Sequence, residues 1–436
     1  MFCTSALQPL LRRTTLPARA ALLALLLLVF STPALRAAET MPPVGTAVAI
    51  GGALRDDNSA VWGRLVQLAG GPGARFVVLA TASADPQRTA AQIVVNLKRH
   101  GALAEALPVA PGWPGVNVQQ AVQEPRFTQL VGRAQGVFFS GGAQARLLDT
   151  LQPGGHTTPL LAAIHALFGR GGVVAGTSSG AAVLSDVVFR DAPDVLAVLK
   201  GRLRDGVEVD RGFAFVRPGL AIDQHFIQRG RIGRLLPLMV AKGLRLGVGV
   251  EEDSAVIVRG EQVEVIGARG ALVVDLNGAG SDATLGAFNI HNARLSWLES
   301  GDRFDLASRN LQASPAQRSR QRLDVNAPGF KGEYSGAVVY NDMLGDGTLV
   351  AAMARLVDSD QRELFGLAFA ARPLADDPQP ALGFEWRLHK GADTLGWARA
   401  DGSVGTLAGV LLDVRPVRMA QPLFAPWSHP GRAEPP

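Results

Sequence analysis

The stretch VVAGTSSGAAV, residues 173–183, decides the fold. It opens with β-branched apolar residues, turns through Gly176, Thr177, Ser178, Ser179 and Gly180, and continues into alanines. Strand, tight turn and helix form the unit from which parallel sheets are built. The neighbouring sequence repeats it. TAVAIGG (46–52), RFVVLATAS (75–83) and GVFFSGG (136–142) read as continuous apolar strands ending in small or polar residues. Between them, AVWGRLVQLAG (60–70), QRTAAQIVVNLKRHG (87–101) and LLAAIHALFGRGG (160–172) space their apolar residues three and four apart, the helical period. This alternation predicts the α/β class, with a mostly parallel sheet flanked by helices. Ligands of such sheets sit at the carboxyl ends of the strands, where Gly51-Gly52 and Gly141-Gly142 let backbone come close.

Beyond Pro218, GLAIDQHF (219–226) reads as a strand and RIGRLLPLMVAKG (231–243) as a helix. Short strands at 244–252, 254–260, 262–267 and 270–276 then suggest a sheet extension with hairpins. Residues 312–332 are polar and rich in Ser, Gln, Arg and Pro, the composition of a linker. From 333 to 436, apolar runs separated by Gly and Asp predict a smaller β-rich C-terminal domain.

The 436 residues are 47 % hydrophobic, enough for sizeable cores. The formal charge of +5 is concentrated at the N-terminus, where Arg12, Arg13, Arg19 and Arg36 stand among 38 residues without an acid. The remainder carries 39 basic residues against 38 acidic ones. Such a balance offers no composition-level case for nucleic acid. Arg12, Arg13 and Arg19 precede the apolar run AALLALLLLVF (20–30), followed by Pro33 and the small residues around 37–38. Eleven apolar residues are too few to span a bilayer but suit a secretory signal, so residues 1–38 are expected to direct export to the periplasm or the exterior. No membrane association is expected once they are removed. Cys3 is the only cysteine and lies in that segment, which excludes a thiolate nucleophile, a disulfide and a cysteine metal ligand from the remainder.

The turn at 176–180 has the spacing of a nucleophile elbow, Gly-x-Ser-x-Gly, and only Ser178 is in register. Ser179 would then lend its backbone N–H to an oxyanion. A helix N-cap would use the same residue types. A serine nucleophile needs a base. Of seven histidines, His225 alone follows an apolar strand, after Asp223 and Gln224, at the same edge as the elbow. A carboxylate should orient it. Glu251, Glu252 and Asp253 follow a strand directly, while Asp186, Asp191 and Asp194 follow the elbow. Strand-end placement favours the 251–253 cluster.

FFSGGAQARL (138–147), GTSSGAAVLSD (176–186), IDQHFIQRGRIGRLL (222–236) and GVGVEEDSAVIV (247–258), in this order, resemble the cyanophycinase family of serine peptidases, relatives of dipeptidase E. The resemblance covers roughly residues 44–310. It implies a core like that of the class I glutamine amidotransferases, with serine in place of cysteine. The domain plan becomes a signal at 1–38, a catalytic domain at 39–311, a linker at 312–332 and a β-rich domain at 333–436. The implied activity is exopeptidase-like hydrolysis of cyanophycin, multi-L-arginyl-poly-L-aspartate, to β-Asp-Arg dipeptides. Cyanophycin polymer or aspartyl-arginine peptides would be the partners, no metal or organic cofactor would be needed, and relatives suggest a homodimer.

Residue by residue, the resemblance implies Ser178 as nucleophile, His225 as base and Glu252 as acid, with Asp191 as the alternative acid. Gly142 and Ser179 would supply the oxyanion hole. Gln144, Asp223, Gln224, Arg229, Arg231 and Arg234 would bind substrate. Three arginines at a helix start are unfavourable without an anion nearby, which fits that assignment. Ser179 stands where the family commonly has alanine, and Ala143 where it commonly has an acid. Since Ser179 is expected to act through its backbone, Ser179→Ala is expected to be nearly silent. An aspartyl or isoaspartyl dipeptidase and a non-catalytic binding protein on the same scaffold are the rival readings.

Overall fold

The computed structural model describes residues 45–192, 194–420 and 423. The expected signal at 1–38 lies outside them. The parallel core is β1 (Thr46–Ile50), β2 (Arg75–Leu79), β3 (Leu103–Leu107), β4 (Gly136–Phe139) and β5 (Val173–Thr177), in spatial order β1-β5-β4-β2-β3. β1, β4 and β5 are buried along their length apart from the last residue of β5. This is what continuous apolar strands require when helices cover both faces. One covering face packs around Leu147, Leu161 and Leu167, the other around Trp62, Leu65 and Leu97.

A short ribbon, β6 (Val187–Phe189) and β7 (Val209–Arg211), follows the elbow. The chain then starts a second sheet with β8 (Leu220–Gln224) and its parallel neighbour β9 (Leu246–Val250). β10 (Ser254–Arg259) returns to the first sheet, antiparallel to β1, and β11 (Gln262–Gly267) pairs with β10. β12 (Ala271–Asp275) and β13 (Ile290–Leu298) extend the second sheet, antiparallel to β9 and to each other. β14 (Arg303–Asp305) and β15 (Asn310–Gln312) close the edge of the first. The expected mostly parallel sheet is therefore a five-stranded parallel core with an antiparallel extension, beside a second, largely antiparallel sheet.

The 312–332 stretch is not a free linker. It forms a turn of helix, Pro315–Arg318, and β16 (Arg322–Asp324), which pairs with a C-terminal strand. Its polar residues are used locally. Ser314 Oγ accepts the Gln317 N–H at 3.2 Å, and Asp302 accepts the Ser314 N–H at 2.7 Å. The C-terminal region is β-rich, with β17 (Val339–Tyr340), β18 (Glu363–Ala368), β19 (Leu382–Ala398) and β20 (Val404–Arg418). β20 pairs antiparallel with β13, so these strands continue the second sheet, and the helix Thr348–Val357 buries Leu349, Met353 and Leu356 against it.

The crossing between the sheets positions the site. β9 ends at Val250 in the second sheet and β10 begins at Ser254 in the first, so residues 251–253 step from one to the other. The carboxyl ends of β1 and β5 meet the carboxyl end of β8 there. Ile50 accepts the Ser178 N–H at 2.9 Å and Gly51 accepts the His225 N–H at 2.8 Å.

Candidate active site

Ser178 sits between β5 and the short helix Ser179–Ala182 with φ 53° and ψ −118°. A non-glycine residue in that region is strained by about 1–3 kcal/mol and persists only where its surroundings dictate it. They do so here through glycines. A Cβ on Gly176 would lie 2.0 Å from the Gly180 carbonyl oxygen, and one on Gly180 would lie 2.4 Å from that of Phe139. The Ser178 side chain makes no capping hydrogen bond to the helix. The cap alternative is thereby removed, and the hydroxyl points across the sheet edge.

It meets His225 there. Ser178 Oγ lies 2.9 Å from His225 Nε2, and His225 Nδ1 lies 2.6 Å from Glu252 Oε1. A carboxylate accepts only from an N–H, so Nδ1 carries the proton and Nε2 is left to accept from the serine. His225 also has positive φ, 46°, and its ring packs on Gly52, where a Cβ would come 2.2 Å from Cε1. Burial lowers the His225 pKa, the Glu252 hydrogen bond raises it, and the positive charges of Arg229 and Arg231 lower it; the net direction is down. A neutral imidazole is what a general base requires.

The other acids have different partners. Glu251 is 2 % exposed and accepts the Ile227 N–H at 2.6 Å; burial pushes its carboxyl up to about 7. Asp253 accepts from the Arg55 N–H and the Asn58 side-chain amide. Asp194 caps the helix Val195–Leu199. Asp186 Oδ2 accepts the Gly219 N–H at 3.4 Å. Asp191 is exposed and has no hydrogen-bond contact with the imidazole. Among the described residues Glu252 alone of the acids reaches the histidine, so the alternative acid Asp191 is set aside.

Gly142 has φ 142°, and a Cβ there would lie 1.9 Å from the Ala82 carbonyl oxygen. Among the described residues, neither its N–H nor that of Ser179 is given to a backbone carbonyl. The Ser179 hydroxyl joins the two loops that carry this pair. It donates to the Gly142 carbonyl at 2.5 Å and lies 3.0 Å from the side-chain amide of Gln144. Its single proton goes to the shorter contact with Gly142, and Gln144 Oε1 is a second acceptor of the same hydroxyl.

The expected substrate contacts divide. Gln224 is buried with its amide oxygen 3.5 Å from Ser178 Oγ, and Gln144 touches Ser179. Asp223 and Arg234 are 1 % and 2 % exposed and form a two-pronged pair at 2.6 and 2.7 Å. Arg234 also donates to the Ala192 carbonyl and stacks on Phe189. Burial opposes the charge on Asp223, but the Arg234 charge and hydrogen bond outweigh it and hold its pKa low. Arg231 is also buried; it donates to the Gln224 carbonyl at 2.7 Å, and burial lowers its pKa to about 9. The structure buries Asp223, Arg231 and Arg234 and pairs them with each other and with backbone, which fixes the end of β8. Of the three arginines only Arg229 is exposed.

Ser178 and His225 open onto a cleft of about 650 Å³. Its far wall is the helix Pro86–Arg99, through Arg88, Gln92 and Asn96, with Asp56 from the loop after β1. Sequence reasoning missed this wall. The signal available was a polar row at i, i+4 and i+8 opposite the buried Ala90 and Leu97.

A serine, histidine and glutamate aligned above the carboxyl edge of parallel strands is the constellation of a serine peptidase. The model of peptidase family S51 matches residues 48–266, half of the chain, and the chain belongs to that family. The cyanophycinase of Synechococcus elongatus is 30 % identical over 286 residues, 62 % of this chain and 81 % of that protein. That of Trichormus variabilis is 34 % identical over 189 residues, 40 % of this chain. The chain spans 58 % of the length of the Trichormus relative. The crystal structure of a peptidase from an acI-B1 Actinobacterium aligns over 60 % of this chain and 97 % of its own, with 22 % identity and a TM-score of 0.45.

Proposed function

We propose that this protein is a serine-type exopeptidase that hydrolyses cyanophycin to β-Asp-Arg dipeptides through an acyl-enzyme. The observation that carries the reading is the hydrogen-bonded line Ser178–His225–Glu252, with contacts of 2.9 and 2.6 Å. The names of the relatives support the substrate. Ser178 Oγ attacks the backbone carbonyl of the terminal aspartyl unit while its proton passes to His225 Nε2. Glu252 holds the ring in the tautomer with Nδ1 protonated and stabilises the imidazolium. The N–H groups of Gly142 and Ser179 receive the oxyanion. Collapse of the tetrahedral species passes the proton from His225 to the leaving amine. Water, deprotonated by His225, then releases the dipeptide and restores Ser178.

Export by residues 1–38 belongs to the same proposal, since an exported enzyme would meet polymer released from other cells. N-terminal sequencing of protein recovered outside the cytoplasm tests it. The activity is tested by incubating the purified protein with cyanophycin and identifying the soluble product by mass spectrometry. The expected product is β-Asp-Arg, absent with Ser178→Ala. Cleavage of short aspartyl peptides without release from the polymer would favour a dipeptidase, and undiminished turnover by Ser178→Ala would exclude the serine mechanism.

A further inference from the structure

The cleft beside Ser178 carries two opposite charges on its helical wall. Arg88, in the first turn of the helix Pro86–Arg99, is exposed, and among the described residues its guanidinium has no acidic partner. Asp56 is exposed on the same wall and is fixed in place: Gln92 donates to Oδ2 at 2.6 Å and Asn96 donates to Oδ1 at 2.7 Å. Asn96 is itself 1 % exposed, so the anchor is rigid. Both donors are neutral amides, so they orient the carboxylate without cancelling its charge, and each oxygen keeps a free acceptor site. Arg99 reaches the Asp56 carbonyl at 3.2 Å, not its carboxylate. Arg88, Gln92 and Asn96 are one turn apart in succession, about 6 Å per step along the axis. Trp62, stacked on Phe138 at 5.6 Å, adds an apolar surface to the cleft.

A fixed anion and a free cation flanking an apolar surface complement a ligand that carries a guanidinium and a carboxylate on one aliphatic stem. We propose that Asp56 and Arg88 are the specificity residues of this cleft, Asp56 taking the guanidinium and Arg88 the free carboxylate of the arginine branch next to the scissile bond. This rests on the proposed function above. Forked guanidinium–carboxylate contacts are the strong, directional kind.

The test is steady-state kinetics of the full chain on an arginine-branched aspartyl substrate and two analogues. One analogue carries citrulline, which removes the branch cation; the other carries argininamide, which removes the branch carboxylate. For Asp56→Asn, the kcat/KM ratio of arginine to citrulline substrate is expected to fall about tenfold, mostly through KM. For Arg88→Gln, the ratio of carboxylate to carboxamide substrate is expected to fall about tenfold, with partial recovery in Arg88→Lys. Circular dichroism confirms that each variant is folded. Ratios equal to those of the parent protein would overturn the assignment while leaving the peptidase reading intact. A parent protein that turns over none of the three substrates would overturn both.

Discussion

The Ser179 hydroxyl donates to the Gly142 carbonyl at 2.5 Å, and this bond ties together the two loops whose N–H groups are proposed to receive the oxyanion. The residue is 1 % exposed, so removing its oxygen leaves the carbonyl and the Gln144 amide without that partner. The expectation that Ser179→Ala is silent therefore changes. The variant should lose about tenfold in kcat with KM little altered, less than the loss from deleting an oxyanion donor outright. Kinetics on a soluble substrate, with a thermal melt showing an intact fold, measure it.

Among the described residues Glu252 is the one carboxylate on the imidazole, and Asp191 is exposed and apart from it. Glu252→Gln should reduce kcat by roughly 10²–10⁴-fold, because the amide no longer enforces the tautomer. Asp191→Asn should stay within about twofold of the parent protein. A comparison of the two variants under identical conditions decides between them.

The base must be neutral to work, so activity is present above the His225 pKa and is lost as pH falls through it. Burial sets that pKa below its ordinary value of 6.5, and Arg229 lowers it further. The acid limb of the kcat/KM profile should thus have its midpoint below 6.5. Arg229→Gln removes a like charge and should move the midpoint to higher pH, whatever it does to the height of the plateau.

Folded Glu251 keeps its proton up to about pH 7, whereas the unfolded chain releases it near 4.5. Its protonation favours the fold fully below the lower value, and the contribution is lost as pH rises to the higher one. The loss is roughly 3 kcal/mol at most. Glu251→Gln retains an acceptor for the Ile227 N–H and does not titrate. Urea unfolding at pH 5 and pH 8 should show the variant gaining stability relative to the parent protein as pH rises. Parallel pH dependences would contradict the buried carboxyl.

Ser178, His225 and the acidic cluster at 251–253 were legible because they follow strand ends, and strand ends can be read from apolar runs; spacing did not single out Glu252 within the cluster. The parallel core was legible for the same reason. The pairing of Asp223 with Arg234 is invisible along the chain: eleven residues apart, one on a strand and one on a helix, they look like free charges until burial joins them. Arg88 and Asp56 were missed because a polar helix face is ordinarily solvated, and nothing local says that this one borders a cleft.

The sequence by itself determined the α/β alternation, the elbow with its serine in register and the strand-end positions of His225 and the acids at 251–253, since each of these depends on spacing within a few residues. Tertiary structure decided which acid reaches His225, which arginines are buried and which wall faces the nucleophile. It also decided that residues 404–418 join the sheet beginning at β8, through β20 pairing with β13. Those outcomes depend on pairings between distant segments, and the free energy of such a pairing lies in desolvation and register, neither of which a linear pattern contains.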